Sequence, residues 1–122
     1  MFFISLTNSV GSLFWGLSLA ADYRIANPNL IVHLNSKAHG LHPTGAVPFF
    51  MKKQVDLSKT QELLYNKNIL DAQTAKDLGL INQLTSVKNY RNDVILMVNE
   101  ILETTNYEYF LYIKMLINHR LL

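Results

Sequence analysis

The chain has 122 residues, 49% hydrophobic and 16% charged, which is the balance of a single globular domain (1–122) long enough to bury its own core. It contains no cysteine, which excludes disulfides, thiolate nucleophiles and cysteine-ligated metal and fits a cytoplasmic setting. The formal net charge of +2 is unevenly spread: residues 1–55 hold Arg24, Lys37, Lys52 and Lys53 against Asp22 alone, a bias that suits an anionic ligand such as a phosphorylated cofactor but lacks the clustered basic stripe of a nucleic-acid surface.

Phe2 to Thr7 is apolar and rich in β-forming residues, and it is closed by Asn8, Ser9 and Gly11, so it reads as a buried strand followed by a turn. A helix follows, with Ser12 as the expected N-cap and Leu13, Phe14, Leu17, Ala20 and Ala21 as its apolar side through to Asp22. Its apolar run, Leu13 to Ala21, is far below the roughly 20 residues needed to cross a bilayer. No membrane span is expected, and because no Lys or Arg precedes Arg24 the start lacks the positive region of a secretory leader.

Tyr23 to Ala26 and Leu30 to Leu34 read as short strands joined at Asn27-Pro28-Asn29, since proline presets a turn dihedral and asparagine tolerates one. From Asn35 to Pro48 two glycines and two prolines with no acid predict an irregular segment of the kind that lines sites. Beyond it lie a short helix over Phe49 to Gln54, a helix from Lys59 to about Asn66 capped near Asp56, and a third from Ala72 to Leu78 capped by Asp71, with Gly79 as its C′ residue. Leu80 to Leu84 reads as a brief strand. Two amphipathic helices close the chain, Tyr90 to Glu103 and Tyr107 to Leu121, the last with a stripe of Phe110, Ile113, Leu116, Ile117 and Leu121.

Three motifs stand in order along this sequence. The run from Gly11 to Ala26 resembles the segment of the enoyl-CoA hydratase/isomerase (crotonase) superfamily in which a glycine-rich turn opens a helix ending in Cys-Asp, followed by a strand of the type x-Arg-Ile-Ala. Gly40 to Ala46 resembles that family's Gly-x-x-Pro-Gly-x-Gly loop, and Asp71 to Asn82 its Ser-Ala-x-x-Ala-x-x-x-Gly-Leu-Val element. The resemblance covers about residues 3 to 86 and implies an α/β fold, the C-terminal part of the crotonase ββα spiral, over about 1–86, with 87–122 as C-terminal helices. It also implies a fragment or a shortened relative, because the family's earlier spiral turns and first oxyanion amide have no counterpart here.

The family's chemistry uses two backbone N–H groups to hold an acyl-CoA thioester oxygen as it becomes an enolate. The resemblance places one of these amides at Leu13, and it places the acyl pocket along Ser36, Gly40, Pro43, Thr44 and Gly45. No cofactor is implied beyond coenzyme A carried on the substrate. Hydration needs one group to activate water and another to deliver a proton, and the two family glutamates would fall at Gly16 and Ser36, neither of which can do so. No Asp or Glu occurs between Tyr23 and Val55 to replace them. A true hydratase is therefore disfavoured, and less firmly so an isomerase, since the family's isomerases usually need the second glutamate; divergent lyase- or isomerase-like chemistry is what the resemblance leaves.

His42, an imidazole in the loop beside the pocket, is the first choice for a proton shuttle, and the alternative is a turn histidine bonded to backbone. His33, His39 and His42 lack a nearby carboxylate and do not read as a metal set. Gly16-Leu17-Ser18-Leu19-Ala20 mimics a nucleophile elbow, but Ser18 belongs inside a helix and is expected to bond back to a carbonyl, while Trp15 is expected in the core. The leading expectation is an acyl-CoA-binding member of the family whose activity is divergent or lost. The alternative is a non-catalytic interaction or oligomerisation module of the same fold. On either, a homo-oligomer (trimer or hexamer) or a partner supplying the missing half is expected.

Overall fold

A computed structural model describes residues 2–34, 51, 53–66 and 69–120. Strands β1 (Phe3–Leu6) and β3 (Tyr23–Ala26) run parallel, in register from Phe3 opposite Tyr23 to Leu6 opposite Ala26, and β3 pairs on its other side with β6 (Gln83–Leu84), again parallel. A second sheet places β4 (Ile31–His33) between β2 (Ser9–Val10), parallel, and β5 (Ile69–Asp71), antiparallel.

The chain passes from the first sheet to the second twice, once between β1 and β2 and once between β3 and β4, and the two corners are bonded together. Asn8 turns the first corner with φ of 60°, a left-handed conformation that asparagine tolerates better than most side chains. Asn29 from the second corner accepts at Oδ1 from the Asn8 amide and from Thr7 Oγ1, each at 3.1 Å, and its Nδ2 donates to Asn8 Oδ1 at 3.1 Å. Main-chain bonds complete the corner, Asn27 N–H to the Leu6 carbonyl at 2.9 Å and Ile31 N–H to the Asn8 carbonyl at 2.8 Å. The expected turn at Asn8-Ser9 thus continues into a strand. Two residues are too few to show an alternating pattern, so periodicity misses β2, and it misses the three-residue β5 for the same reason.

Between the strands lie helices α1 (Ser12–Leu19), α2 (Leu57–Asn66) and α3 (Ala72–Asp77). The core gathers Trp15 and Leu19 of α1 with Val32, Leu34, Met51 and Leu63, all essentially sealed from solvent. This corrects the expected apolar side of α1. Phe14 and Leu17 are 49% and 57% exposed, whereas Trp15, Ser18 and Leu19 are buried. Because α1 is apolar all round, spacing cannot select the inner face, and contact with the second sheet selects it. The cap shifts too. Gly11, extended at φ −86° and ψ 173°, is the N-cap, Ser12 is already helical, and the helix closes at Ala20 rather than Asp22.

The other expected caps hold, although α2 opens at Leu57 rather than Lys59. Asp56 Oδ1 accepts from the Lys59 amide at 2.7 Å at the start of α2, and Asp71 Oδ1 accepts from the Thr74 amide at 2.8 Å at the start of α3. Gly79 at φ 79° follows α3, its N–H donating to the Lys76 carbonyl at 3.0 Å and that of Leu80 to the Ala75 carbonyl at 2.9 Å, the paired bonds of a Schellman end. Met51, Lys53 and Gln54 are helical, as expected for that stretch.

Two longer helices follow, α4 (Tyr90–Thr104) and α5 (Tyr107–Arg120). None of the α4 residues is buried. Asp93 ties its first turn to the preceding loop, accepting at Oδ2 from both the amide and the hydroxyl of Ser86 at 2.7 Å. Those bonds hold the Asp93 carboxyl below its ordinary pKa, the hydroxyl first. On α5, Lys114 reaches Asp22 at 2.9 Å. No helix among the described residues is long and apolar enough to cross a membrane.

Candidate functional site

The start of α1 is the part of the expected site that the structure describes. Leu13 is the second residue of α1, two and three residues before the buried Trp15 and Gly16. The first helical bond runs from the Trp15 amide to the Gly11 carbonyl at 2.9 Å, no side chain caps the helix, and no acid stands in its first turn. The opening amides of a helix lack intrahelical acceptors, and the end that carries them is the positive end of the helix dipole. An anion or a developing oxyanion at that point would meet favourable donors.

Ser36, Gly40, His42, Pro43, Thr44 and Gly45, with Lys37 and His39, lie outside the described residues. The loop's part in the site rests on its sequence. Gly16, where the resemblance puts the first glutamate, is buried within α1. Ser18 donates from Oγ to the Phe14 carbonyl at 2.8 Å and is fully buried, the back-bonded helix position expected for it and the wrong place for a nucleophile elbow. Among the described residues no three His, Asp or Glu side chains gather as metal ligands.

Several carboxylates have partners elsewhere. Asp56 and Asp71 cap helices, Glu62 meets Lys59 at 3.3 Å, Asp77 accepts from Gln73 Nε2 at 2.9 Å, and Asp93 holds Ser86. Asp22 accepts from the Phe2 amide at 2.7 Å and pairs with Lys114. Partial burial alone would raise the Asp22 carboxyl, but the Phe2 bond and Lys114 outweigh it and leave its pKa lowered.

The sequence places Arg24 in the x-Arg-Ile-Ala strand and Gln54 at a helix end but assigns neither a role. Arg24 is only 5% exposed, and its guanidinium donates to three main-chain carbonyls: Nε to Leu80 at 2.6 Å, and one terminal nitrogen to Ala21 at 2.9 Å and Leu19 at 3.3 Å. The other terminal nitrogen donates to Gln54 Oε1, and Gln54 Nε2 donates onward to the Leu19 carbonyl at 3.1 Å. Burial pulls the Arg24 pKa down, with Asp22 opposing. The available signal was a lone arginine in the apolar strand Tyr23–Ala26 with no acid anywhere in the following stretch to Val55.

Comparison with known proteins places this geometry. The family model described as enoyl-CoA hydratase/isomerase matches residues 14–119. Bacillus subtilis YhaR is 35% identical over 69 residues, which is 55% of this chain and 27% of that protein. Among solved structures, an enoyl-CoA hydratase/isomerase from Marinobacter aquaeolei superposes with a TM-score of 0.73 at 22% identity, covering 84% of this chain and 37% of the other. A Thermobifida fusca protein solved in complex with acetoacetyl-CoA gives 0.74 at 20% identity, over 83% and 40% of the two chains. The chain spans about a quarter of the curated relatives it matches, 27% of their length. The fold is crotonase-like, and with a family match over most of its length the chain belongs to the enoyl-CoA hydratase/isomerase family.

Proposed function

We propose that this chain binds coenzyme A thioesters, with the thioester carbonyl at the N-terminus of α1 and the acyl chain along the loop of Ser36, Gly40, Pro43, Thr44 and Gly45, and that it does not hydrate enoyl-CoA. The observation that carries the reading is the start of α1. In a chain of this family, the helix that would present the oxyanion amide opens at Gly11 with no capping side chain and no acid in its first turn, which leaves the Leu13 amide suited to a carbonyl oxygen.

In this reading hydration fails for want of the carboxylate pair. Gly16 has no side chain, the Ser36 hydroxyl has no useful pKa, and Asp22, Asp56, Asp71 and Asp93 have other partners. In the proposal His42 is the residue of the loop able to shuttle a proton near neutral pH. No cofactor beyond the thioester's own coenzyme A is invoked, and the assigned setting is the cytoplasm.

Calorimetry with acetyl-CoA and with free CoA tests the reading, followed by amide shifts at Leu13. Binding that moves the Leu13 amide and is lost in Gly45→Trp supports it, and absence of heat and of shifts at millimolar ligand rejects it. Turnover of a short enoyl-CoA that a substitution in this chain abolishes would refute the second half.

A second reading, an interaction or oligomerisation module, draws on the exposed apolar side chains Phe14, Leu17, Leu96, Leu102 and Met115. Under it the chain self-associates as a trimer or hexamer or takes a partner that completes the spiral. Sedimentation of a compact single-chain species at micromolar concentration would reject it.

A further inference from the structure

We infer that the outer edge of β1 is a self-association surface, on which β1 of a second copy of this chain docks antiparallel across a twofold axis at Ile4. The inference is independent of the acyl-CoA reading and of the apolar side chains on α4 and α5.

Among the described residues β1 is the outer strand of its sheet, bonded to β3 alone. The Phe2 carbonyl accepts from the Asp22 and Tyr23 amides at 2.9 and 3.2 Å, and the Leu6 carbonyl accepts from the Asn27 amide at 2.9 Å. Successive residues of a strand direct their main-chain groups to opposite sides. Phe2, Ile4 and Leu6 therefore serve β3, while Phe3 and Ser5 present N–H and C=O at the other edge. Such an edge is a template for a further strand unless lysine, proline or a bulge guards it. Here Phe2 to Thr7 carries no charge and no proline, and β1 meets β3 residue for residue without a bulge.

An uncharged edge meets its own copy without repulsion, and a closed contact between two identical strands is twofold and hence antiparallel. With the axis at Ile4, Phe3 of each chain exchanges both main-chain bonds with Ser5 of the other. On the core side the same register sets Ile4 against Ile4 and Phe2 against Leu6. Ile4 is partly buried against the core cluster, Leu6 belongs to it, and Phe2 is half exposed, so the pairing extends the core across the axis. The nearest acid is Asp22, bonded to the Phe2 amide. Antiparallel docking holds the two copies of Phe2 about 14 Å apart along the edge, beyond the screening length of about 8 Å, so their aspartates do not oppose it. One strand edge covers less than the roughly 1,200 Å² of a standard interface, which makes the dimer concentration-dependent.

Sedimentation of the full chain from micromolar to millimolar concentration should show monomer giving way to dimer. In the dimer, amide exchange at Phe3 and Ser5 should slow about tenfold against the dilute chain, and isotope-filtered NMR should find Phe2 of one copy beside Leu6 of the other. Ser5→Pro removes only an outward amide, and Ser5→Lys adds charge at an exposed side chain. Each should weaken the dimer at least about tenfold while the Asn27 amide, bonded to Leu6 in the parent, stays protected. A chain that is monomeric at every concentration overturns the inference, as does a trimer or hexamer that both variants leave intact. Open-ended polymers that the variants block also overturn it, because they mean head-to-tail addition instead of a twofold contact. Should Ser5→Pro fail to fold, Ser5→Lys decides alone, and a dimer of unchanged affinity in it rejects the β1 edge.

Discussion

The two-sheet body and the C-terminal helices have similar apolar content and opposite fates. In the body, β3 buries Arg24, Ile25 and Ala26 in succession, and α1 seals Trp15 and Leu19 beneath the second sheet. In α4, fifteen residues pass without one becoming buried, and Leu96 stands 66% exposed. What separates them is non-local pairing. Parallel strands and bonded corners force the body's apolar residues together, whereas α4 and α5 are tied down by polar contacts, Ser86 with Asp93 and Asp22 with Lys114. Apolar composition gives a segment the means to bury itself, and topology decides whether it does.

The sharpest way to break that contrast is by truncating side chains. Trp15→Ala should destabilise the chain by about 3–5 kcal/mol, because the indole is fully buried in the core and the cavity cannot collapse freely. Leu96→Ala should stay within about 0.5 kcal/mol, as exposed substitutions do. Urea midpoints at constant slope measure both. An equal cost at the two positions would mean that α4 is covered in solution, and sedimentation would then show by how many chains.

The same contrast governs what could be read from the sequence. Local chemistry was legible: Asp56, Asp71 and Gly79 mark helix ends because cap and left-handed positions accept few residue types, and the corner Asn27-Pro28-Asn29 announces itself. The order of motifs led to the family. Facing was not legible. Phe14 and Leu17 fit a helical stripe as well as Trp15 does, and only the second sheet decides between them. Strands of two and three residues, β2 and β5, carry no period at all. Of the expected site, Leu13 lies at a helix start as anticipated. The role of Arg24 was not legible, because a single basic residue in a strand looks like surface until its carbonyl partners, 56 residues away in the case of Leu80, are known.

Within the body, helix ends offer effects of middle size. Gly79→Ala should cost about 1–2 kcal/mol, since φ of 79° penalises any Cβ even though nothing lies within 4 Å of it. Asp71→Ala should cost about 1 kcal/mol by freeing the Thr74 amide. Thermal denaturation of the two single variants and the double variant adds a test of independence. Their sum should fall short or overshoot if α3 frays as a unit, and add if its two ends act separately.

A small effect belongs to the tether between the two regions. Lys114→Met should cost no more than about 1 kcal/mol, because the ammonium is half exposed and pairs with a carboxylate at the body's edge. Its signature is pH dependence. The Asp22 pKa lies below the ordinary 3.8 in the folded chain despite the raising effect of partial burial, since the Phe2 amide and Lys114 favour the ionised form. A carboxylate of lowered folded pKa contributes stability that is complete above its unfolded value and is lost as pH falls through its folded value. The tether should therefore be intact at neutral pH and weaken only below about pH 4. Carboxyl carbon shifts of Asp22 followed by NMR should give a midpoint below 3.8 in the parent and a higher one in Lys114→Met, with the difference shrinking in salt as the pair is screened. An unchanged midpoint in Lys114→Met would assign the shift to groups other than Lys114, the Phe2 amide first, and α5 would then be held to the body by something other than this ion pair.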